Sequence, residues 1–78
     1  MELKLYYHIV PINDGTTYLC YNKDLNKMFL YRKDKENSPY ALVFNSEENA
    51  NKWITDNRIG KSYKVEAFWS ILDYQTED

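Results

Sequence analysis

Cysteine occurs once in these 78 residues, at position 20, which excludes an intrachain disulfide frame and a cysteine-built metal knuckle. A small chain without such staples fits a reducing compartment, so the cytoplasm is the expected location. Glycine and proline occur twice each, too few for a glycine-rich phosphate loop or a proline-rich linker. Histidine is also single, at His8. With Cys20 and scattered carboxylates it forms no ligand spacing, and neither a metal nor another cofactor is expected. No apolar run approaches the roughly 20 residues of a membrane span. The N-terminus lacks the basic region and apolar run of a signal peptide. Charge of either sign is not in excess: the net value of −2 argues against a generally basic nucleic-acid binder and against a densely acidic DNA mimic.

Aromatic residues are plentiful instead. Two Trp, three Phe and eight Tyr can each bury on the order of 150–250 Å². A chain of this length forms one domain, residues 1–78, with a thin core. That core cannot hide so many rings, so some must face water or a partner. Charge alternates in blocks. Five cations oppose Asp24 and Asp34 between Lys23 and Lys35, and four anions oppose Lys52 alone between Glu36 and Asp56.

Period-two alternation predicts a first strand over Glu2–Ile12, with Leu3, Leu5, Tyr7 and Ile9 on one face. The turn signal Asn13-Asp14-Gly15 leads into a second strand over Thr16–Asn22, and residues 23–26 turn into a third over Lys27–Lys33. Ser46 is a helix cap, followed by Glu47 and Glu48 at the positive end of the dipole, with Ala50, Trp53 and Ile54 on one face. Asn57 to Gly60 is the expected stop. Beyond it, Tyr63, Val65, Ala67, Trp69 and Ile71 alternate as a strand, although Val65, Phe68, Trp69 and Leu72 would also line a helix. The β-branched and aromatic content favours the strand. The expected fold is α+β: a three-stranded antiparallel meander, one helix packed on one sheet face, and a further C-terminal strand, β-β-β-α-β.

The first hairpin permits two registers. A two-residue loop sets Ile9 against Cys20; a three-residue loop sets Ile9 against Leu19 and His8 against Cys20. The second segregates apolar residues better. Carried through the next turn, it sets Leu19 against Leu30 and Tyr21 against Met28. One face then holds Leu3, Leu5, Tyr7, Ile9, Leu19, Tyr21, Met28 and Leu30 under the helix. The other holds Tyr6, His8, Val10, Tyr18, Cys20, Phe29 and Tyr31, an aromatic face that one helix cannot also cover. Either it is open, or the C-terminal segment with Phe68, Trp69 and Leu72 folds back over it as a second small core.

His8 beside Cys20 is the start of a nucleophilic pair. Without a third group to orient it, the pair reads as packing, and no enzymatic activity is expected. The aromatic face fits a binding role better. Tyr6, Tyr18, Phe29 and Tyr31 would supply contact area, with Arg32, Lys33 and Lys35 as rim charges that steer a partner. A foreign protein or a second copy of the chain would satisfy it. Single-stranded nucleic acid is the alternative partner, since exposed rings flanked by Lys27 and Lys33 can stack bases. The glycine-containing pattern of a common RNA-binding strand is absent from the segment 27–35.

The segment Ala41–Ile54 carries Phe44, Ser46, Glu47, Glu48, Ala50, Trp53 and Ile54. In this it resembles short accessory proteins of phages and prophages of low-GC Gram-positive bacteria. The resemblance covers about a fifth of the chain, and Asn49 departs from its pattern. It implies a protein that binds and inhibits a host protein, with a defence nuclease, as for an anti-CRISPR, as the specific form. No site residue follows from it.

Overall fold

A computed structural model of the chain describes residues 2–77. It contains β1 (Lys4–Pro11), β2 (Thr17–Asn22), β3 (Lys27–Arg32), β4 (Val43–Phe44), α1 (Glu47–Asp56) and β5 (Tyr63–Ser70). The α+β class and the C-terminal strand are as the sequence predicts. The meander is not. β1 is the centre of a sheet ordered β4-β1-β5, while β2 and β3 form a separate pair.

β1 and β2 pack against each other but share no ladder. The physical reason lies at the end of β1. Its pairing with β5 runs without interruption from Lys4↔Ser70 to Pro11↔Tyr63, and Ile12 N–H then donates to Ser62 O at 2.9 Å. One edge of β1 is therefore filled along its whole length, and the other takes β4 at Tyr7↔Phe44 and His8↔Val43. The turn itself is held by Asp14, whose carboxylate accepts from the Thr16 N–H at 2.9 Å and from the hydroxyls of Thr16 and Thr17.

The two sheets are joined by residues 40–44. Tyr21 N–H donates to Tyr40 O at 2.9 Å and Leu42 N–H to Leu19 O at 3.3 Å, with a bridge between Cys20 and Ala41. The same segment then pairs with β1 through Val43 and Phe44. A short extended run thus passes from one sheet to the other, burying Leu42, Val43 and Phe44.

The β2-β3 hairpin keeps the expected register, Leu19↔Leu30 and Tyr21↔Met28. Asn26 closes its loop at φ 50°, a left-handed position that asparagine tolerates better than most residues. In α1, the Ser46 side chain accepts from Asn49 N–H at 3.1 Å, as the cap pattern predicts. The stop is set at Arg58, φ 58°. Its N–H donates to Thr55 O and that of Ile59 to Ile54 O, the paired bonds of a Schellman motif. Ile59 thereby reaches Ile54 in the core.

Two small cores result. Ile9, Leu19, Leu42, Phe44, Ala50 and Ile54 form the one beneath the helix, with Tyr7, Tyr21, Trp53, Tyr63 and Val65 against it. Val10, Tyr18 and Cys20 form the other, against Phe29, Tyr31 and Ala41. The predicted division of β1, β2 and β3 into two faces therefore holds for Ile9 and Leu19 against Val10, Tyr18 and Cys20. It fails at the ends. Leu3, Leu5, Met28 and Leu30, expected under the helix, are exposed. A ten-residue helix is about 15 Å long, against about 26 Å for an eight-residue strand, and it is used up at the Ile9–Val65 end.

Candidate binding surfaces

The aromatic face is covered where β1 and β5 build it. Tyr6 and Tyr18, expected as contact residues, are only 5% and 6% exposed. The cover is the chain after β5. The Tyr6 hydroxyl donates to Leu72 O at 2.9 Å and accepts from Tyr74 N–H at 3.4 Å. The Tyr6 ring lies between Phe68, centroids 5.7 Å apart, and Tyr74, 5.0 Å. Glu77 N–H reaches Val43 O at 2.9 Å, and Asn45 donates to the Thr76 hydroxyl at 3.0 Å. Of the two arrangements the sequence allows, the C-terminal segment folds back, but with Phe68 and Tyr74 against Tyr6, while Trp69 and Leu72, expected in a second core, are exposed. Tyr18 is held from the other side, where its hydroxyl accepts from Ser38 N–H at 3.1 Å.

The remaining expected contact residues stay near the surface. Phe29 and Tyr31 are half-buried, and Arg32, Lys33 and Lys35 are exposed. Phe29 meets Tyr40 edge-on at 6.0 Å, and Tyr31 meets Tyr18 at 6.1 Å. Two of the three cations have intramolecular partners. Arg32 forms a two-pronged pair with Asp34, at 3.1 and 2.6 Å, and Lys33 Nζ donates to Glu66 Oε1 at 2.7 Å. Lys35 is in no ion pair among the described residues.

Glu66 also takes His8, whose Nε2 lies 2.7 Å from the same Oε1. The imidazole stacks between Phe68 at 4.3 Å and Tyr18 at 5.6 Å. Burial pushes the His8 pKa below its ordinary 6.5, although Glu66 opposes this. For Glu66 burial acts upward, but the bonds from Lys33 and His8 outweigh it and hold the carboxyl below 4.5. A groove of about 300 Å³ opens here, lined by Tyr18, Phe68, Tyr74 and Ala41 beneath the His8–Glu66–Lys33 group, with Asn37 at its side. His8 and Cys20 are not ladder partners. Cys20 is fully buried, and burial raises its thiol pKa, so the thiolate needed of a nucleophile is disfavoured. Among the described residues, no three His, Cys, Asp or Glu side chains group to hold a metal ion. Among the described residues, no helix is long and apolar enough to cross a membrane.

A further surface was not singled out by sequence reasoning. Leu5 and Trp69 are direct partners across the β1-β5 ladder, with Leu3 and Ile71 just past its last pair, Lys4↔Ser70. Trp69 is 64% exposed and Leu3 60%. The Lys4–Asp73 ion pair borders this apolar end of the sheet. The signal in the sequence is length: an alternating apolar strand longer than α1, the one helix among the described residues. Comparisons with protein-family models, curated proteins and solved structures find no match to this chain.

Proposed function

We propose that this chain is a small binding protein of the phage-type accessory, anti-defence kind, which acts by occupying and inhibiting a host protein. A CRISPR nuclease is the first partner to test. The observation that carries the binding reading is the uncovered end of the β1-β5 ladder, where Trp69 faces water beside Leu5, Leu3 and Ile71. Tryptophan is enriched among residues that dominate interface energies, and exposed apolar clusters mark contact sites. Phe29, Tyr31, Arg32 and Lys35 offer a second, more polar contact region along β3. The inhibitory role rests on the resemblance of Ala41–Ile54. Single-stranded nucleic acid has less to work with, because Tyr6 and Tyr18 are buried and Lys33 and Arg32 are paired.

The test is capture from a nuclease-treated lysate of a low-GC Gram-positive host, followed by inhibition of the captured protein's activity. A Leu5→Ser, Trp69→Ala variant is expected to lose the partner, and Tyr31→Ala to weaken it less. Equal capture by the parent and the Leu5, Trp69 variant would exclude the ladder end as the contact.

A further inference from the structure

β5 is an edge strand of a kind that proteins normally protect. Its ladder with β1 has eight consecutive pairs and no bulge, and Tyr63–Ser70 contains no proline. Among the described residues, the Tyr63 N–H at its start donates to Ile59 O at 3.2 Å, and beyond that residue no backbone bond reaches its outer side. Such an edge presents a row of unused N–H and C=O groups to any strand that fits it. β3 has an open edge too, but Lys27 at one end and Arg32, Lys33 and Lys35 at and just past the other outnumber Asp34. Self-pairing there sets cation against cation. On β5 the charges are of opposite sign and spaced two residues apart, Lys64 and Glu66, which puts them on one face. Lys64 is exposed and in no ion pair among the described residues. Glu66 uses Oε1 for both His8 and Lys33, and its Oε2 is left for another donor.

We infer that β5 pairs antiparallel with β5 of a second copy, about a two-fold axis at Val65. In this register Val65 meets its own counterpart, Tyr63 meets Ala67, and each Lys64 meets the Glu66 of the other copy. Two charge pairs thus form per dimer, and the sheet β4-β1-β5 continues into its mate. A one-residue shift of the axis to Glu66 sets two carboxylates directly opposite each other, so charge selects the register. Trp69 lies outside the five paired residues, which keeps this contact separate from the proposed partner surface.

The experiment is sedimentation velocity of the full chain across a dilution series. The parent is expected at twice the 9.4 kDa of one chain. Lys64→Glu replaces both charge pairs with opposed carboxylates and is expected to halve that mass. Glu66→Lys does the same with lysines; mixing the two variants restores opposite charges at each end and is expected to restore the dimer. Because Glu66→Lys also cuts the bonds to His8 and Lys33, its fold is checked by circular dichroism. Should it fail to fold, Lys64→Glu alone decides. A parent that stays monomeric at every concentration overturns the inference. So does a dimer that survives Lys64→Glu, or one that Trp69→Ala abolishes.

Discussion

Arg58 occupies a position where a side chain is a hindrance. Its φ of 58° is needed so that Ile59 can turn back onto Ile54, and for an L-residue with a Cβ that conformation costs roughly 1–2 kcal/mol. Glycine would adopt it freely, less the entropy that glycine loses on folding. Arg58→Gly is therefore expected to stabilise the fold by about 0.5–1 kcal/mol, read as a higher melting temperature with unchanged circular dichroism. The stop expected over Asn57 to Gly60 includes Arg58, but the glycine in that range, Gly60, is not the residue with positive φ. Composition marks where glycine is, whereas the core contact of Ile59 decides where the turn must come. The cap was easier to see, because the chemistry of Ser46 is local: a hydroxyl oxygen and an N–H three residues away.

Among the elements, β4 is the shortest and has the widest reach. Leu42 and Phe44 flank Val43 on the run that carries hydrogen bonding from β2 to β1, and both are nearly inaccessible in the core under α1. Phe44→Ala is expected to cost about 3–5 kcal/mol, measured by urea denaturation. Thr55→Ser, at an exposed position of α1, should change little by the same measurement. Alternation reports which face a residue occupies, and it did so correctly for Ile9, Leu19, Tyr18 and Cys20. It says nothing about which strand lies along an edge. The β2-β3 pairing was legible because its turn is short and its contacts are local. The partners of β1 were not, because they lie far along the chain and one of them is a strand of two residues.

For the molecule as a whole, the His8–Glu66–Lys33 group ties stability to pH. The His8 pKa is below 6.5 in the fold, so the unfolded chain binds a proton more readily. Its contribution is fully present above about pH 6.5 and is lost as pH falls toward the lowered folded value. Glu66, also lowered, acts with the same sign: its contribution is present above 4.5 and lost in more acidic solution. Stability should thus be level around neutral pH and fall in two overlapping steps in acid, followed by thermal melts. His8→Phe should remove the upper step and leave the lower one. The sequence placed His8 on the right face but next to Cys20; only the long-range partner Glu66 gives it this behaviour.

The central position of β1 also bears on the order in which the protein can be assembled. This strand, ahead of all the others in chain order, is completed by residues 63–70, and its Tyr6 ring by residues 72–74. During synthesis the hairpin of β2 and β3 can form early, since its contacts are local. β1, with Leu3, Leu5 and Ile9, must wait for its mate to appear. A growing chain therefore carries an unmated apolar strand until residues 63–74 have emerged, and any peptide fused beyond residue 77 is made next to the piece that closes the fold.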